Sequence, residues 1–191
     1  MSCLFKAKKI TKKFSGITAV DCMSLDIHEG EIVGLIGPNG AGKTTFFNAV
    51  TGFFPATSGE VEFCGKDIGA LSTHENCKNG MARTFQIVQP FGKLTALENV
   101  MVGAFNRVGG YAEAAAIAEK WLDFVGLLHK RDAIVADLTI GDQRKLEMAR
   151  ALATGPKLLL LDEVMAGLTP TEIKAVIEVV RKIRDSGITI L

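Results

Sequence analysis

The sequence predicts an α/β domain with an antiparallel β part at its N-terminus and a helical subdomain. Three observations predict it. An apolar run, Ile32-Val33-Gly34-Leu35-Ile36, feeds a glycine-rich turn that opens a helix. A second run, Leu158-Leu159-Leu160-Leu161, ends in two acids, Asp162 and Glu163. Between them, from about Thr95 to Arg150, apolar residues recur at helical spacing. Continuous apolar runs are how strands buried on both faces of a parallel sheet read, so the two runs are expected to be its strands.

The turn is Gly37-Pro38-Asn39-Gly40-Ala41-Gly42-Lys43-Thr44-Thr45, which fits Gly-x-x-x-x-Gly-Lys-Ser/Thr, a phosphate-binding loop. Glycines let successive amides point inward and form a nest for phosphate oxygens. Asn39, Gly40, Ala41, Gly42 and Thr45 lie in that nest; Lys43 adds charge for the β- and γ-phosphates, and Thr44 offers a hydroxyl to Mg2+. The helix that follows, Thr45 to Val50, turns its positive end toward the phosphates. Its strand-loop-helix setting makes the fold a P-loop NTPase core.

In chain order, residues 4–14 mix β-branched, aromatic and lysine residues as edge strands do. On residue type alone, Phe14 either stacks on a base or packs in the sheet. Strands follow at Ala19 to Ile27 and Gly59 to Phe63, the latter closed by a Gly65-Lys66-Asp67 turn. Met81 to Gln86 reads as a short strand; Gln86 at its end either reaches toward metal and attacking water or is a solvated loop residue. Gln89-Pro90-Phe91-Gly92 reads as a hinge into the helical region, where Leu97, Val100, Met101 and Ala104 mark one helix. Ile117, Trp121 and Val125 mark the apolar face of a second. Thr139 or Asp142 caps a third, with Leu146, Ala149 and Leu152 facing inward. That helix start is either an ordinary cap or an anion site. At the end of the leucine strand, Asp162 is placed to hold Mg2+ and Glu163 to polarise the attacking water. An amphipathic helix with Ile173, Val176, Ile177, Val180 and Ile183 on one face runs to Gly187, and a last strand starts at Ile188.

Composition narrows the functions. The 191 residues, 48% hydrophobic, are enough for one sizeable core. A net charge of +1 gives no broad electrostatic argument for nucleic acid or a membrane surface. Cys3, Cys22, Cys64 and Cys77 form no C-x-x-C pair, and His28, His74 and His129 lack metal-ligand spacing. No segment approaches the length needed to cross a bilayer, the start is no signal peptide, and there is no internal repeat.

These stretches together resemble the ATP-binding subunit of ABC transporters across essentially the whole chain. Gly37 to Thr45 matches the Walker A loop and Gln86 the Q-loop glutamine. Leu138 to Gln143 is similar to the Leu-Ser-Gly-Gly-Gln signature. Leu158 to Glu163 matches Walker B with its catalytic glutamate, and Ala166 to Thr169 the D-loop. Arg83-Thr84-Phe85-Gln86, Gly141 to Glu147 and Ala166-Gly167-Leu168 resemble the branched-chain amino acid importer group. The resemblance implies ATP and Mg2+ as cofactors, with Phe14 stacked on adenine. Lys43, Glu163 and Gln86 would be catalytic, and Thr44, Asp162 and Gln86 near the metal. Thr139, Gly141 and Asp142 would contact the γ-phosphate held by a partner chain.

It further implies a catalytic core at 1–87 and 155–191 and a helical subdomain at 88–154. The partners would be a second ATPase subunit paired head to tail as homo- or heterodimer, transmembrane permease subunits and a periplasmic or extracellular substrate-binding protein. Nucleic acid is not among them. The chain would sit peripherally on the cytoplasmic face of the membrane and power import of branched-chain or other hydrophobic amino acids. The alternatives are another ABC system (urea, lipid export, or soluble repair or translation) or nucleotide binding without turnover. Thr139 stands where serine is usual, Ile140 and Asp142 replace glycine and glutamine, Val164 replaces proline, and Thr169 replaces an aspartate or asparagine. The family's switch histidine would fall just beyond Leu191, so the domain is expected to be C-terminally incomplete.

Overall fold

The antiparallel part comes first. In a computed structural model that describes residues 2–84 and 90–191, β1 (Cys3–Phe14) and β2 (Ile17–His28) form a long hairpin. β1 also pairs with β3 (Ser58–Phe63), which pairs with β4 (Lys66–Asp67), giving the order β2-β1-β3-β4. β1 is therefore central, and the expectation of an edge strand is corrected. Its lysines are accommodated because both neighbours carry acids: Lys8 pairs with Glu60 and Glu62 on β3, and Lys6 with Asp26 on β2.

The parallel sheet is β5 (Met81–Arg83), β6 (Leu158–Leu160) and β7 (Thr189–Ile190), in that order. β6 is wholly buried because alternate residues serve two cores. Leu159 packs with the helical region, while Leu158 and Leu160 pack with the antiparallel sheet and α1 (Lys43–Val50). The predicted leucine strand is as expected, and it carries Asp162 out between the two cores.

The strand expected at Ile32 to Ile36 is different. Only its start is paired, through the Ile32–Ile190 bridge and the Val33 amide to the Ile190 carbonyl at 2.9 Å. Ile36 is 93% exposed. Gly34 to Ile36 belong to no ladder.

After α2 (Thr73–Asn79), the helical region comprises α3 (Ala96–Ala104), α4 (Tyr111–Phe124) and α5 (Ile140–Ala153). α3 and α5 touch closely at Gly103, where a Cβ would lie 2.1 Å from the Arg150 carbonyl oxygen. The face α4 buries is set by Ala114, Ala118, Leu122 and the following Val125. Ile117 and Trp121, expected inward, flank this stripe. Alanines bring α4 nearer its neighbours than large side chains allow, so they take the centre. α5 buries Leu146, Ala149 and Leu152 as expected. α6 (Pro170–Asp185), started by a Thr169–Glu172 capping box, buries Val176, Val179 and Ile183 and leads to β7.

Candidate functional site

α1 starts without a side-chain cap and without an acid in its first turn; its N-cap is Gly42, at φ +85°. An added Cβ there would lie 2.1 Å from the Ala19 carbonyl oxygen, so this position admits only glycine. The uncapped amides face a cavity of about 270 Å³ formed by Asn39 to Thr45, with Ala19 and Glu163 on its other walls. Positive dipole and free donors together suit this cavity to an anion. The Lys43 ammonium folds back on its own loop, donating to the carbonyl oxygens of Gly37 (2.8 Å) and Pro38 (3.0 Å). A phosphate would have to draw it away from these weaker, uncharged acceptors.

A second cavity, of about 560 Å³, brings the two sequence signals together: Lys43 and Phe47 form one side, Asp162 and Glu163 another. Asp162 is 3% exposed, and its Oδ2 accepts from Arg83 at 2.9 Å. Glu163 has φ +49°, a conformation costing about 1–3 kcal/mol in a residue with a Cβ and typical of functional sites. The sharp backbone turn follows directly on the buried strand, and both cavities include Glu163.

The other expected residues lie apart. Phe14 is 43% exposed, its ring edge-on to Phe54 at 5.4 Å and 5.0 Å from the Lys12 ammonium. It does not line either cavity. Gln86 falls outside the described residues. Thr139, Gly141 and Asp142 cluster at the start of α5 and line neither Lys43 cavity. There the Thr139 hydroxyl accepts from the Asp142 amide at 3.2 Å. Asp142 is held by Lys130 at 2.6 Å and Lys145 at 3.9 Å. Glu172 completes the group: its carboxylate accepts from the Thr169 amide and hydroxyl (2.9 and 2.7 Å), and a Cβ added at Gly141 would lie 2.6 Å from its Oε1. The Thr169 donors hold Glu172 below the ordinary carboxylate range, the Gly141 amide adds to this, and Asp142 opposes it.

Sequence reasoning missed Arg83, Asn48 and Glu172. Only Glu172 had a signal, the Thr-x-x-Glu spacing of a capping box. Among the described residues no cluster of three or more His, Cys, Asp or Glu exists. A hydroxyl at Thr44 and a carboxylate at Asp162 are nevertheless hard oxygen donors. They fit Mg2+, which commonly keeps waters and substrate phosphates as its other ligands. Among the described residues no helix is long and apolar enough to cross a membrane.

The family model described as ABC transporter matches residues 20–166. The high-affinity branched-chain amino acid transport ATP-binding protein LivG of Salmonella typhimurium is 38% identical over 199 residues, covering 95% of this chain and 77% of that protein. Among solved structures, a nucleotide-free ATP-binding cassette from an ABC transporter superposes with TM-score 0.90 at 32% identity, covering 100% of this chain and 80% of the other. A dimeric ATP-binding cassette in a post-hydrolysis state with ADP and Pi gives TM-score 0.87 at 28% identity, covering 98% and 86%.

Proposed function

Because the chain belongs to the ABC transporter family, we propose that it is the ATP-binding and hydrolysing subunit of an importer for branched-chain or other hydrophobic amino acids. The observation that carries the reading is the shared cavity: the loop lysine and the Asp162–Glu163 pair face one space at an uncapped helix end. The amides from Asn39 to Thr45 bind the phosphates, and Lys43 neutralises them. Thr44 and Asp162 would hold Mg2+, which when bound would neutralise charge on the transferring phosphoryl group. Glu163 orients the attacking water and accepts its proton. Phe14 would stack on adenine after leaving Phe54, and Gln86 would couple the site to the membrane partner.

Two chains pair head to tail. Thr139, Gly141 and Asp142 lie away from their own chain's Lys43 cavities, which supports a role at the partner's nucleotide. The core at 1–87 and 155–191 closes with the helical subdomain at 88–154. Permease subunits cross the membrane, a binding protein delivers the amino acid, and this chain sits on the cytoplasmic face. The LivG match supports the cargo class. The test is uptake of labelled leucine into vesicles holding the assembled transporter, with phosphate release measured in parallel. Both should require Lys43. Uptake that persists with Lys43→Ala in every ATPase subunit of the assembly rejects the reading.

A further inference from the structure

Arg83 has no part in the roles above, yet it joins the elements that build the site. It ends β5, and its guanidinium donates to Asp162 Oδ2 at 2.9 Å and to Asn48 Oδ1 at 2.6 Å. Its Cζ lies 5.4 Å from the centre of the Phe47 ring. The Arg83 and Asp162 side chains are 7% and 4% exposed, so the pair is screened from water. Asn48 and Phe47 belong to α1, the helix opened by the phosphate loop; Asp162 belongs to the turn after β6.

We propose that Arg83 is a positioning residue that orients the Asp162 carboxylate toward a divalent cation bound with nucleotide, and fixes it relative to α1 through Asn48. The proposal rests on the reading of Asp162 as a metal-side residue. A carboxylate held at one oxygen presents the other in a set direction, whereas an unheld one rotates. Groups that orient a ligand in this way typically change metal affinity by about 10–100-fold. The planar fork of arginine reaches two acceptors on two elements at once. A lysine ammonium keeps the charge but lacks the fork. This distinguishes orientation from mere neutralisation of a buried acid, which lysine would also supply.

The experiment uses binding of a fluorescent ADP analogue to the full chain, titrating Mg2+ from an EDTA baseline. Arg83→Lys should raise the Mg2+ concentration for half-maximal enhancement by about tenfold or more. Its affinity for the analogue in EDTA should stay within about twofold, because the loop contacts are untouched. Asn48→Ala, which leaves the ion pair but frees its anchor, should move the midpoint the same way by less. An unchanged Mg2+ midpoint in a folded Arg83→Lys overturns the proposal, as does an equal loss in EDTA and in Mg2+, the mark of a purely structural role. If Arg83→Lys does not fold, an unchanged midpoint in Asn48→Ala overturns it. A parent chain whose binding ignores Mg2+ overturns both this proposal and the metal-side reading of Asp162.

Discussion

The chain has two helix starts proposed to meet phosphate, and they are built in opposite ways. α1 begins at Gly42 with no side-chain cap and no acid in its first turn. α5 begins at Thr139, which caps it, with Asp142 in its first turn and the Glu172 carboxylate of α6 close against Gly141. The first leaves donors open and adds Lys43. The second caps the Asp142 amide with Thr139 and pairs the Asp142 carboxylate with Lys130 and Lys145. A phosphate arriving at α1 meets open amide donors and the Lys43 ammonium, with Glu163 lining the same cavity. One arriving at α5 meets a filled, nearly neutral surface. On the proposed function, the difference would let one chain hold nucleotide at α1 while α5 contributes when a partner's geometry brings the phosphate to it.

The largest expected effect separates these two ends. Lys43→Ala removes a charged donor at α1, and Gly141→Asp puts a carboxylate where a Cβ alone would lie 2.6 Å from Glu172 Oε1. Each variant alone should lose ATP hydrolysis. A one-to-one mixture should recover roughly a quarter of the parent's composite sites, one good site in the half of the pairs that join unlike chains. Phosphate release by each variant at the parental rate breaks the comparison, because the two starts would then not act in one shared site.

Glu163→Gln comes next. The residue lines both cavities beside α1, so the variant should bind nucleotide yet turn over about a hundredfold or more slowly, the usual share of general-base catalysis. Single-turnover phosphate release checks it, and an unchanged rate removes Glu163 from the chemistry.

How much of this was legible depends on whether a feature is contiguous in sequence. The loop at Gly37 to Thr45 and the run from Leu158 to Glu163 each state their chemistry in neighbouring residues, and their meeting at one cavity was expected. The Arg83–Asp162 pair joins residues 79 positions apart and leaves no local pattern. β1 looks like an edge strand because its lysines signal exposure; only the acids of β2 and β3 show that a central position can hold them. Ile32 to Ile36 reads as buried because it is apolar, but burial needs neighbours, and Ile190 supplies only one bridge. On α4, a rule that sends the largest residues inward picks Ile117 and Trp121, whereas close helix approach selects Ala114 and Ala118.

A smaller effect probes the charge balance at α5. Lys130→Met leaves Asp142 with Lys145 at 3.9 Å as its remaining ion-pair partner among the described residues. ATP-driven pairing of Glu163→Gln chains should weaken about fivefold, near 1 kcal/mol for a partly exposed charge. Adding Asp142→Asn should restore it, since the uncompensated charge is then gone. Analytical ultracentrifugation reads both. Weakening that the second change fails to restore assigns Lys130 a different role.

The smallest effect is one of pH, and of the two helix starts compared it belongs to the α5 side, because α1 has no acid in its first turn. Glu172 is held below its ordinary value of 4.5 by the Thr169 donors first and the Gly141 amide after them. A carboxylate whose folded pKa is lowered stabilises the fold fully above its unfolded value. That contribution is lost as pH falls through the lowered one. The melting temperature of the parent should therefore exceed that of Glu172→Gln at pH 6, and the gap should close as the pH is taken down through and below 4.5. Glutamine keeps the size of the side chain and one acceptor oxygen, so what closes is the part due to charge. A gap that stays constant down to pH 3 would mean that the charge of Glu172 does not stabilise this part of the fold, leaving Asp142 as the acid that sets the two helix starts apart.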